Sequence, residues 1–221
     1  LMLSIAGFVG LSIAYLFYFS SIHHIGVSRA TPITSSRPLI TAVLAVVLLR
    51  EVMTLSLGLG TMFIVVGVAL VTLRNQGYKI NLGVGELFAI LTAFCWGLYP
   101  VLLKVGLQGL QSVFKASLIM MSMATVLYVL LIICMGRLRL LFFIKKRSLF
   151  FFTLSGVANS SANLLYFAAL MLVPVTIVTP LTNLYPFFAL VLSAITLNEK
   201  ATLKVFFGTV LIFAGILFIT L

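Results

Sequence analysis

Three carboxylates, Glu51, Glu86 and Glu199, are the only acids in this 221-residue chain. Hydrolytic or acid–base chemistry needs carboxylates, histidines or thiols converging on one cavity, and here they are scattered. His23 and His24 are neighbours without a further ligand set, and Cys95 and Cys134 lie in separate apolar runs with no pairing or metal spacing. No glycine-rich phosphate loop is present. The chain therefore offers no catalytic residues, no metal ligands and no cofactor-binding set, and the chemistry left to it is binding. Arg37 leads that reading. It stands in "TPITSSRP" (Thr31–Pro38) with Thr34, Ser35, Ser36 and Thr41 around it. A guanidinium is planar and pairs with carboxylate or phosphate. The alternative is a long side chain snorkelling to an interface.

Other polar and aromatic residues sit where apolar ones would be expected. Asn159, Asn163 and Tyr166 fall at i, i+4 and i+7, one stripe of a helix. Such a stripe either bonds neighbouring helices or lines a path. Trp96 and Tyr99 are one turn apart beside Pro100, away from the interfacial belts where such rings collect. They fit a pocket wall or core packing. Asn183 and Tyr185 belong to a second polar stretch, "TPLTNLYP" (Thr179–Pro186).

The elements that must hold these residues are apolar helices. The chain is 63% hydrophobic and 8% charged, with a mean hydropathy of +1.31, whereas soluble domains are about a quarter charged. Eight runs are each long enough to cross a bilayer core of about 30 Å: 2–22, 30–49, 55–73, 84–103, 113–135, 149–171, 175–197 and 204–221. This predicts an all-α, polytopic membrane bundle. A β-barrel would alternate apolar and polar residues, and none of these runs does. The net charge of +11 fits cationic flanks of membrane spans rather than nucleic-acid binding, and the partners expected are a small-molecule substrate and the lipid bilayer. The basic run at 137–147 reads as a loop on the membrane surface. The first span lacks the basic start and cleavage site of a signal peptide.

The chain also repeats itself. Shifted by 148 positions, 16–73 matches 164–221 with 20 identities in 58 positions and no gap. Pro32 meets Pro180, Pro38 meets Pro186, Glu51 meets Glu199 and Thr54 meets Thr202. Shared hydrophobicity does not align prolines, glycines and glutamates, so duplication explains the match. The second span maps onto the seventh, five spans later, and an odd offset reverses the direction of crossing. That predicts an inverted-topology repeat. The fourth and fifth spans have no counterpart, since 84 − 148 = −64 falls before the chain starts. The expected parent has ten spans, built as five plus five. Its first repeat contributes 1–73 here, 74–83 connects, and 84–221 is the second repeat.

Within each copy the prolines have a role. Proline frees a backbone carbonyl and bends a helix, which is tolerated beside protein or a watery cavity. Pro38 and Pro186 are expected to kink their spans toward such a cavity, and Pro32 and Pro180 either do likewise or set the entry of the span. Glu51 with Thr54, and Glu199 with Thr202, are expected to form structural turns. There the threonine caps the next helix and the carboxylate complements its positive end. Gly60 and Gly67, like Gly208 and Gly215, share a helix face and suit scaffold helices or a homodimer contact.

Two segments, "SRPLITAVLAVVLLREVMTLSLGLGTMFIVVGVAL" and "PLTNLYPFFALVLSAITLNEKATLKVFFGTVLIFAGI", resemble the drug/metabolite transporter superfamily, specifically its EamA family. Each carries a proline-bearing span, Leu-X-Glu, a threonine and a glycine-punctuated closing helix. The resemblance implies ten helices in two inverted halves around a central cavity. It also implies secondary transport of small metabolites such as amino acids, sugars or drugs, by alternating access. The expected location is the cell membrane. The rivals are a non-transporting scaffold or degenerate fragment and, less well supported, a membrane-embedded lipid-modifying enzyme. Orientation gives two conflicting expectations. Of 14 basic residues, ten collect on one side and three on the other, which puts the C-terminus outside. The resemblance implies both termini inside.

Overall fold

The computed structural model describes residues 1–72, 83–110, 112–136, 146–184, 188 and 203–220. Every regular element among them is a helix. In hydrocarbon each backbone N–H and C=O must find a partner within the chain, and a helix provides this segment by segment. We number the elements α1 (Met2–Ile25), α2 (Val27–Thr34), α3 (Arg37–Leu49), α4 (Leu55–Thr72), α5 (Val84–Leu110), α6 (Val113–Cys134), α7 (Lys146–Leu172), α8 (Val175–Thr182) and α9 (Leu203–Thr220). Together α2 and α3 make the second span. The start of the seventh span is α8, and its remainder lies outside the described residues except for Phe188. Four stretches are long and apolar enough to cross a membrane by length and composition: Met2–Ile25, Arg29–Leu49, Val84–Leu110 and Val113–Cys134.

The helices alternate in direction, so the bundle has two ends. At one, which we call the Arg29 face, Arg29 pairs with Glu86 at 3.0 Å, and Glu86 also accepts from the Gly83 N–H at the start of its own helix. The opposite end is the Glu51 face. There Leu3, Ala45, Val101, Leu103, Leu107, Ala116, Met120, Phe167, Leu170, Val175 and Val178 form one buried apolar cluster. Each of these residues belongs to the Glu51-facing half of its helix, so the cluster closes that end of the bundle.

α4 and α9 pack side by side as an antiparallel pair. A Cβ on Gly60 would meet the Gly215 carbonyl oxygen at 2.7 Å, and one on Gly67 would meet that of Gly208 at 2.6 Å. Helices this close leave no room for any side chain at the crossing points, and the contact gains dispersion where the hydrophobic effect is weak. The glycine faces read from the sequence meet each other within one chain. The large apolar side chains on the outside, such as Val43, Val47, Phe114 and Leu118, suit a lipid surround.

The fourth span runs to Leu110, seven residues past its expected end at 103. Lys104 reads as a boundary charge in the sequence. In the structure it stays helical because its ammonium donates to the carbonyls of Leu170 and Val173, the latter at 2.9 Å.

Candidate functional site

The second span breaks where its sequence is most polar. α2 ends at Thr34, Ser35 and Ser36 turn, and α3 resumes at Arg37 with Pro38 in its first turn. Pro38 has no N–H for the Thr34 carbonyl, and the Leu39 N–H goes to Ser36 O at 3.0 Å instead of to Ser35. The Ser35 carbonyl is thus released from the helix. It accepts a 2.9 Å bond from Asn183 Nδ2, at the turn where α8 ends. Asn183 is fully buried, and its Oδ1 accepts from Arg37 Nε at 3.2 Å. Pro32 and Pro180 lie inside α2 and α8 rather than at the turns that end them.

Arg37 is thereby held inward instead of reaching for an interface. Its guanidinium carbon lies 5.6 Å from the centroid of the Trp96 ring, close enough for a cation–π contact. Trp96 is held in turn by its Nε1, which donates to the Gly10 carbonyl at 3.2 Å. Gly10 belongs to a π-helical turn, Val9–Ile13, inside α1. Such turns misalign the helix ladder and expose carbonyls. Tyr128 Oη uses the next one, Leu11 O, at 2.9 Å.

Around these groups is a cavity of about 660 Å³, within the size range of small-molecule sites. α1 supplies Gly10, Tyr15 and Tyr18, α3 supplies Arg37, and α5 supplies Trp96 and Tyr99. α7 gives Asn159, Asn163 and Tyr166, and Thr179 and Thr182 come from α8. Tyr99 and Tyr166 stack with centroids 6.4 Å apart and 14° between planes. Tyr15 and Tyr18 meet Trp96 at 5.4 and 5.0 Å. The apolar cluster of the Glu51 face lies beneath this cavity. Toward the Arg29 face, α7 leaves Leu149, Phe150, Phe151, Phe152 and Leu154 exposed.

Two charged groups set the elbow between α7 and α8. The Glu51 carboxylate accepts from the N–H groups of Val175 and Thr176, at 2.8 and 3.0 Å, and from Thr176 Oγ1 at 2.8 Å. It therefore caps α8, 124 residues away, and not the helix that follows it. Thr54 caps that following helix, α4, accepting from Leu57 N–H at 3.3 Å. Lys104 sits on the last carbonyls of α7. An anion at one helix start and a cation at the preceding helix end both oppose the local dipole ends.

A family model described as "EamA-like transporter family" matches residues 1–73 and 83–221. The chain belongs to that family. A solved structure described only as "Crystal structure of protein" superposes with a TM-score of 0.79 at 17% identity, covering 98% of this chain and 76% of that one. At that identity the likeness speaks for the fold alone. No curated protein matches the chain. An EamA-like chain of apolar helices is an integral membrane protein of a transporter family.

In this EamA-like protein, the residues singled out from the sequence fall into three groups. Arg37, Trp96, Tyr99, Asn159, Asn163 and Tyr166 line the cavity. Thr34 and Asn183 stand behind it: the Thr34 hydroxyl donates to Thr31 O at 3.0 Å, and Asn183 positions Arg37. Tyr185, Pro186, Glu199 and Thr202 lie outside the described residues. Sequence reasoning passed over Gly10, Tyr15, Tyr18 and Thr179. Tyr18 carried a signal, because the 148-residue shift aligns it with Tyr166.

Proposed function

We propose that this chain is the core of a secondary carrier, an exporter or exchanger of small polar metabolites or drugs, in the cell membrane. Its two halves are inverted repeats that rock against each other, giving alternating access to the cavity at Arg37. The observation that carries this reading is the cavity itself. Among the described residues it combines polar and aromatic walls, lies where the break between α2 and α3 meets the end of α8, and has an apolar cluster on its Glu51 side. A scaffold has no use for a half-buried arginine held by a buried asparagine. The antiparallel contacts Gly60–Gly215 and Gly67–Gly208 support the inverted repeat, because that symmetry pairs each glycine with the partner of the other.

The test is counterflow in proteoliposomes preloaded with each unlabelled member of a panel of amino acids, nucleotides, sugars and drugs, with the same compound labelled outside. Saturable exchange of one class supports the carrier. No exchange of any panel member counts against it and favours the non-transporting scaffold.

A further inference from the structure

Among the described residues the cavity carries one sign of charge. Arg37 is the only charged side chain among its described lining residues, and Tyr15, Tyr18, Trp96, Tyr99, Tyr166 and Phe188 give it six aromatic rings. The chain's acids are committed elsewhere or lie outside the described residues. Glu51 caps α8 on the sealed face, Glu86 pairs with Arg29 on the other, and Glu199 is among the residues not described. The rest of the seventh span, 185–197, contains no charged residue. In a low-dielectric site a substrate cation would meet repulsion from the guanidinium, and an anion attraction. The guanidinium is also aimed in advance. Its Nε is fixed by Asn183, its central carbon sits over the Trp96 ring at 5.6 Å, and Asn183 is anchored on Ser35. A fixed planar fork favours a carboxylate over a point charge of no defined shape. The aromatic walls favour a flat ring, which stacks on them with little ordering cost.

Resting on the carrier reading above, we propose that this cavity takes a small organic anion in which a carboxylate is joined to a flat ring. The carboxylate lies at Arg37 and the ring lies among Trp96, Tyr99 and Tyr166. Organic cations of the same size are rejected.

Trp96 is the only tryptophan in the chain, so its fluorescence reports on this site directly. The purified full chain in nanodiscs is titrated with phenylacetate, its neutral counterpart phenylacetamide and its cationic counterpart phenethylammonium. We expect a saturable change with phenylacetate, a response about tenfold weaker or less with the amide, and none with the cation. Acetate, which lacks the ring, should bind at least as weakly as the amide. In Arg37→Gln the phenylacetate affinity should fall to that of the amide, while the amide itself binds as before. That unchanged amide binding shows that the cavity still folds. A cation that binds as well as the anion overturns the proposal, as does unchanged phenylacetate binding in Arg37→Gln or no saturable response to any probe. Proteoliposome uptake separates the two claims. Binding of phenylacetate without transport leaves the site chemistry standing and removes the carrier. Transport of cations alone does the reverse.

Discussion

The Asn183 side chain donates to the backbone carbonyl of Ser35 at 2.9 Å, and the two residues are 148 positions apart, the same offset at which the chain matches itself. The inverted repeat proposed above would run its two-fold axis through such a pair. The break between α2 and α3 thus meets the turn at which α8 ends. The asymmetry between them, serine in one and asparagine in the other, is what allows one side chain to satisfy the other's freed carbonyl and still hold Arg37.

Asn183→Ala removes both bonds at once. It leaves the Ser35 carbonyl buried without this donor and loosens the guanidinium. We expect a stability loss of about 1–3 kcal/mol, read as a lower thermal unfolding temperature in detergent. Ligand affinity should fall with it. Asn183→Asp keeps an acceptor for Arg37 but has no donor for Ser35, and its carboxylate neutralises the guanidinium, so affinity for an anion should stay as low as in Asn183→Ala.

Gly10→Ala tests the packing of the aromatic wall. A Cβ there would overlap the Tyr99 ring, so the tyrosine ring must move. Substrate affinity is expected to drop by about tenfold or more, an effect of about 1.4 kcal/mol. The helical content by circular dichroism should be unchanged. Gly67→Leu instead forces α4 and α9 apart and should prevent a stable bundle, seen as aggregation in size-exclusion chromatography.

Glu51→Gln keeps the shape of the cap on α8 and removes its charge. One amide oxygen replaces two carboxylate oxygens serving three donors. Loss of a charged cap costs about 0.5–2 kcal/mol, so a fall in unfolding temperature of a few degrees is expected. Lys104→Met should act on the same elbow. The pair is expected to be less than additive in a double-mutant cycle, because both hold the Val173–Pro174 connection.

Much of this was legible in the residues. The eight apolar runs locate the helices to within a few positions at most ends, because length and hydropathy decide what spans a bilayer. Pro38 and the polar residues before it mark the break in the second span. The rule that polar or aromatic groups deep in a span face something other than lipid singles out Arg37, Trp96 and the Asn159 stripe. What stayed hidden is long-range. No periodicity tells Glu51 that its partner is Val175, or Lys104 that it will reach Leu170. The π turn at Val9–Ile13 has no local signature, since glycine and serine are common in membrane helices. Tyr15 reads as one more aromatic until Trp96 packs beside it.

Alternating access is tested most directly by thiol accessibility in the cavity. In a chain carrying Cys95→Ser and Cys134→Ser, Asn163→Cys is challenged in sealed proteoliposomes with a membrane-impermeant maleimide from either side. The account predicts labelling from both faces, with bound substrate slowing both rates. Labelling from the Arg29 face alone, with the Glu51 face closed under every condition, would contradict it.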